Sequence, residues 1–123
     1  MQLFKELSVS GYKVIITTDH GTVQVNKPIK VIGDRNTSTN LRYKVGKALN
    51  YNKNEVFDIT NPQKAMLPSP NVSSTYIFAK NRNFMAYPNN FNYYSTYFKD
   101  SFQHGGISLE EMIVPFAVLN GKG

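Results

Sequence analysis

The sequence predicts an α/β domain with an incomplete sheet, and three features lead to that reading. Tyr12 to Thr18 (YKVIITT) is a β-branched, almost wholly apolar run, as expected of a strand buried on both faces of a parallel sheet. A helical tail, Phe4 to Leu7, stands just before it and is stopped by Ser10-Gly11, a pair suited to a helix C-terminus. Near the far end, Ser108 and Glu111 have the spacing of a capping box, which opens a short helix. Pro115 closes that helix, and Phe116 to Leu119 (FAVL) is expected to be a last buried strand. Helix, short turn and buried strand make half of a βαβ repeat. The chain is therefore expected to open in mid-fold, with the first strands of its sheet lying upstream.

Between these ends the elements follow from pattern. Thr22 to Val25 and Pro28 to Ile32 alternate and predict a short hairpin around Asn26-Lys27. Arg35 to Asn40 (RNTSTN) is a polar loop, and Leu41 to Leu49 reads as an irregular helix. Glu55 to Ile59 has the composition of a strand. Pro62, Pro68 and Pro70 break any regular element between them. Ser74 to Ala79 and Asn83 to Tyr87 read as strands joined by a turn at Lys80-Asn81-Arg82. From Asn89 to Phe102 the chain is rich in aromatics and asparagine. No internal repeat is present.

At 123 residues the chain holds one domain or part of one. It has no apolar run of membrane-spanning length, and its N-terminus lacks the apolar core of a secretory signal. It also contains no cysteine, which removes disulfides and thiolate metal sites and points to a cytoplasmic location. The net charge is +6, and its placement is informative. Lys27, Lys30, Arg35, Arg42, Lys44, Lys47 and Lys53 face a single acid, Asp34, within residues 27–53, while the remainder is neutral. Such a concentration fits either a surface that meets phosphates or a solvated loop.

The chemistry gathers at two histidines, the only ones in the chain. Asp19-His20-Gly21 follows the apolar strand directly, and ligands of open α/β sheets bind at the carboxyl ends of strands. Carboxylate and imidazole are both good donors to zinc or a similar divalent ion, and Gly21 would let the backbone turn beside them. His104 lies 84 residues further on in Phe102-Gln-His-Gly-Gly106. That separation is too long for a local metal finger, so the fold itself would have to bring the two together.

IITTDHG, followed at this distance by HGGISLEEMIVPFAVL, resembles the C-terminal part of the alkaline phosphatase superfamily. The closer likeness is to the PglZ-domain family, and within it to PorX-type response regulators. It is carried by NTSTNLRYKVGKALNYN, LPSPNVSSTYIFAKN and AYPNNFNYYSTYFKDSFQHGGISLEEMIVPF and covers almost the whole chain. The resemblance implies the C-terminal portion of an alkaline-phosphatase-like α/β/α sandwich, comprising residues 1–123. The half that bears the nucleophile, and any receiver domain, would lie upstream. Asp19 and His20 would ligate the metal that also holds the nucleophile, and His104 would ligate the other, both ions being zinc. The Ser or Thr nucleophile, an early Asp ligand and an Asp-x-x-x-His pair have no counterpart in this sequence. Thr17 and Thr18 do not match the nucleophile's place. The implied activity is two-metal displacement on a phosphomonoester or phosphodiester, and this chain is expected to be inactive alone.

Arg42 and Lys44 are candidates to clamp phosphate oxygens, with a solvated helix face as the alternative. Phe84, Tyr87, Phe91, Tyr93, Tyr94, Tyr97 and Phe98 place seven aromatics in fifteen positions. They would suit stacking with a nucleotide-type substrate or simple packing. Two other functions compete with a hydrolase fragment. One is a non-catalytic regulatory or interaction module, and the other is a nucleic-acid-binding protein, which leaves both His-Gly motifs unexplained. Expected partners are a phosphate ester, the upstream half of the same domain, and a second copy paired through exposed strand edges.

Overall fold

The computed structural model describes residues 2–122. Its elements run α1 (Gln2–Val9), β1 (Val14–Thr17), β2 (Val23–Gln24), β3 (Lys27–Lys30), β4 (Tyr43–Gly46) and β5 (Val56–Ile59). A 3-10 turn (Pro62–Ala65) follows, then β6 (Thr75–Ala79), β7 (Asn83–Ala86), α2 (Phe91–Phe98), β8 (Phe102–Gln103), α3 (Leu109–Met112) and β9 (Phe116–Leu119). The architecture is mixed α/β, built from several small sheets. No helix among the described residues is long and apolar enough to cross a membrane.

The interior is organised by β3 and β7, which pair in parallel with Ile29 opposite Met85. All four residues of β7 are buried. Their alternation sends Met85, with Ile29 and Val31, into one cluster with Val56, Ile77 and Ala79. Phe84 and Ala86 face the other way, onto Val23 and Val25, where Phe91 and Phe98 of α2 cover them. This period of two on a doubly covered strand divides the core into two layers. Pro28 has no N–H to donate, which suits a strand with only one partner. The three-stranded antiparallel sheet β4-β6-β5 forms the outer wall of the first layer.

Several expectations are corrected here. β1 pairs antiparallel with β9, Val14 opposite Leu119, and neither strand is buried. The continuous apolar run at Tyr12 to Thr18 predicted burial on both faces, but among the described residues its main neighbours are β9 and α1, and it stays largely exposed. β2 and β3 form no hairpin: β2 pairs with β8 and β3 with β7, because the chain crosses between two layers at Asn26. Leu41 to Leu49 is a strand region rather than a helix. Arg42, just before β4, and Lys44 on it are both buried, so these two candidate phosphate clamps turn inward and the alternative of a solvated helix face does not hold. Tyr43 lies against Phe78 across the sheet, with ring centroids 6.3 Å apart.

Other expectations hold. The N-terminal helix stops at Gly11, whose φ of +78° is readily available to glycine. β5, β6 and β7 fall within the segments read as strands, with the turn at Asn81 in the left-handed region. The loop from Pro62 to Pro70 contains a single 3-10 turn capped by Asn61, whose Oδ1 accepts from Lys64 N at 3.3 Å.

Candidate functional site

His20 is carried by the loop that leaves β1. The Thr18 hydroxyl bonds to the His20 carbonyl at 2.5 Å, and Gly21 N donates to the Glu111 carbonyl at 2.9 Å. Gly21 therefore serves close approach rather than a sharp turn. A Cβ there would run into the Glu110 carbonyl and stand 3.1 Å from the Ile113 carbonyl. Its missing side chain lets the Asp19-His20 loop lie directly on α3.

His104 reaches the same place from the other direction. It follows β8, and Gly105 turns the backbone with a φ of +100°. The His104 carbonyl accepts from Asn40 Nδ2 at 3.2 Å. Asn40 Oδ1 in turn accepts from the backbone N–H groups of Arg42 (2.7 Å) and Tyr43 (3.2 Å). The polar loop RNTSTN thus anchors the His-Gly-Gly turn to the start of β4.

The result is a face-to-face pair. The His20 and His104 rings have centroids 3.8 Å apart and planes within 11°, although 84 residues separate them. His20 Nδ1 lies 2.9 Å from the Gly21 carbonyl. A carbonyl can only accept, so Nδ1 carries a proton, and a neutral ring would leave a lone pair on Nε2. Asp19 Oδ1 stands 3.6 Å from that Nε2. A cation shared between this nitrogen and the carboxylate, a proton or a metal ion, would be held by both. Tetrahedral zinc with N and O ligands at ~2.0–2.2 Å holds them about 3.3–3.5 Å apart, near the separation found. A backbone-bonded Nδ1–H is also the usual support of a metal-binding imidazole. The donor set and tautomer fit zinc. Among the described residues no three His, Asp or Glu side chains converge tightly enough to enclose a single ion.

Arg42 has a different role from the expected phosphate clamp. Its side chain is fully enclosed, and Nε and Nη2 donate to Glu111 Oε1 and Oε2, both at 2.9 Å. Nη1 donates to the Asn83 carbonyl. The guanidinium is therefore committed inside the fold and presents nothing to a ligand. Glu111 also accepts from Gly106 N at 2.9 Å and Ser108 N at 3.3 Å, the latter being the carboxylate half of the capping box. Burial pushes the Glu111 carboxyl up, but the Arg42 guanidinium, Ser108 and the Gly106 N–H together hold it below its ordinary value. Lys44 is also buried, with Nζ donating to the carbonyls of Ser38 (2.8 Å) and Asn40 (3.1 Å). Burial lowers its pKa. It lines a groove to which Asp19, His20 and His104 do not contribute.

Sequence reasoning missed the Arg42–Glu111 pair, which ties β4 to the turn that carries His104. Glu111 was visible as a helix cap, but its partner lies 69 residues away and no local pattern links them. Asn40 was likewise indistinct within a polar loop. Comparison with known families finds one sequence model that matches residues 1–119, described as the BREX system PglZ alkaline phosphatase-like domain. No curated protein matches the chain.

Proposed function

Since the chain belongs to the PglZ alkaline phosphatase-like family, we propose that it supplies part of a divalent-metal site for phosphate-ester hydrolysis. A phosphatase-like fold follows from membership, and the mixed α/β architecture accords with part of one. The metal site and the reaction are the proposal. The observation that carries it is the meeting of His20 and His104 at 3.8 Å, with Asp19 beside the free nitrogen of His20. Asp19 and His20 would hold one zinc ion and His104 a second. When bound, such ions supply Lewis-acid stabilisation of phosphoryl oxygens and a more acidic nucleophile.

The chain's own residues do the positioning. The Gly21 carbonyl fixes the His20 tautomer, and Asn40 and Glu111 hold the His104 turn from behind. No Ser or Thr in this sequence matches the family's nucleophile, so the attacking hydroxyl and the remaining ligands would come from other residues of the parent protein. The likeness to PorX-type proteins supports a two-component response regulator as that parent. The exposed apolar strands β1 and β9 support the upstream half of the domain, or a second copy, as their cover.

Imidazole 15N spectra during titration with millimolar zinc test the site. Both rings should respond, and Asp19→Asn should weaken the His20 response. A ring that ignores zinc has no place in the site. The chain alone should not turn over a chromogenic phosphate ester. Robust turnover that His20→Ala abolishes would refute the view that the nucleophile lies elsewhere, and would direct attention to Thr18.

A further inference from the structure

A groove of about 560 Å³ opens between the loop after β3 and helix α2, and none of Asp19, His20 or His104 lines it. Its volume lies within the range that holds small organic ligands. One wall is aromatic. Tyr94 and Phe98, one helical turn apart on α2, present rings stacked at 6.1 Å and 15°, with Tyr87 beside them. Lys44, only 7% exposed, lines the same groove.

The Lys44 ammonium has three donors, and the carbonyls of Ser38 and Asn40 take two. Carbonyls satisfy hydrogen bonds but leave the charge uncompensated. Among the described residues Lys44 has no carboxylate within ion-pairing distance. The acid that lines the groove, Asp34, uses Oδ1 to accept from Asn36 N and the Thr37 hydroxyl of its own loop. A buried cation without a counter-ion is costly unless something else supplies the negative charge. Arg35 at the rim adds a second positive charge.

We propose that this groove binds a small aromatic anion, with its ring against Tyr94 and Phe98 and its carboxylate or phosphate on Lys44 Nζ. The site is separate from the histidine pair but linked to it through Asn40. Lys44 holds the Asn40 carbonyl, and the Asn40 side chain holds the His104 carbonyl. A ligand that draws on the ammonium therefore acts on the residue that anchors the His-Gly-Gly turn. The proposal does not depend on the hydrolase reading.

Calorimetric titration in the presence of EDTA tests it with four probes: 1-naphthoate, 1-naphthyl phosphate, neutral 1-naphthalenemethanol and inorganic phosphate. One or both ring-bearing anions should bind, which also identifies the preferred acid group. The neutral ring and the bare anion should each bind roughly tenfold more weakly, or less tightly still. Lys44→Met should erase the preference for charge. Tyr94→Ala, at a partly exposed position that folding tolerates, should weaken ring binding by about fivefold. Equal binding of 1-naphthoate, 1-naphthyl phosphate and the neutral analogue would overturn the proposal even if Lys44→Met failed to fold. So would indifference to Tyr94→Ala, or no binding by either anion at millimolar concentration. Because EDTA is present throughout, any of these results leaves the zinc reading untouched.

Discussion

Replacing Glu111 with alanine should be among the most damaging single changes available. The substitution removes both acceptors of the Arg42 fork, each at 2.9 Å, and leaves the guanidinium in the interior with only the Asn83 carbonyl. Breaking one side of a buried ion pair costs about 3–5 kcal/mol. Two further donors, Gly106 N and Ser108 N, lose their acceptor in the same step, and each costs about 1–3 kcal/mol if water cannot reach it. A domain of ordinary stability has about 5–15 kcal/mol in total, so a large share of the molecules should unfold at room temperature. Urea denaturation followed by circular dichroism reads this as a lower midpoint at an unchanged slope. The double variant Arg42→Met, Glu111→Leu separates the contributions. It removes the stranded charge and should recover part of the loss, but not all, because Gly106 N and Ser108 N stay without a partner. If Glu111→Ala loses less than about 1 kcal/mol, the pair is solvated in solution and the enclosed network is wrong. If the double variant regains full stability, the two backbone donors contribute nothing.

Three further outcomes follow from particular contacts. The Glu111 carboxyl is held below its ordinary value of 4.5 when folded, so its contribution to stability is present above that value and disappears as pH falls through the lowered one. Acid unfolding should therefore steepen below about pH 4.5, and Glu111→Gln should flatten the profile; an unchanged profile refutes the assignment. Gly21→Ala would drive a methyl group into the Glu110 carbonyl, costing about 1–3 kcal/mol and loosening the ring pair, which ring-to-ring NOEs between His20 and His104 would register. Tyr51 should ionise near pH 12 in an absorbance titration, because burial, the hydrogen bond to Asp58 and that carboxylate's charge all raise its pKa; Asp58→Asn should bring it down.

Much of the candidate site was legible because its chemistry is local. Asp19-His20-Gly21 and His104-Gly-Gly106 are short, and the two histidines have no competitors in the chain. Their meeting was expected and is found, whereas Gly21 serves close packing against α3 rather than the sharp turn its residue type suggested. The strands at β5, β6 and β7 were visible for the same local reason, as β-branched and aromatic runs bounded by turns. What failed were inferences about partners. Apolarity in Tyr12 to Thr18 reports a preference for burial, but which elements cover it depends on the rest of the fold, and here β1 stays exposed. Arg42 and Lys44 were read as phosphate clamps or as a solvated face, both at the surface, because charge normally lies there. Their burial depends on Glu111 and on the carbonyls of Ser38 and Asn40, acceptors that become partners only once the fold is closed.

Long-range pairing also determines when this protein can become itself. β1 must wait for β9, β2 for β8, and Lys122 N bonds back to the Ser8 carbonyl. By contrast β4, β5 and β6 pair across shorter stretches of chain. A topology of this kind has high contact order, and such chains fold slowly because distant loops must close before their contacts repay the lost entropy. During vectorial synthesis the three-stranded sheet can form before residues 104–119 have been made. The histidine pair forms later, since His104 and Glu111 follow His20 by more than eighty residues, and until they are made His20 has nothing to stack against.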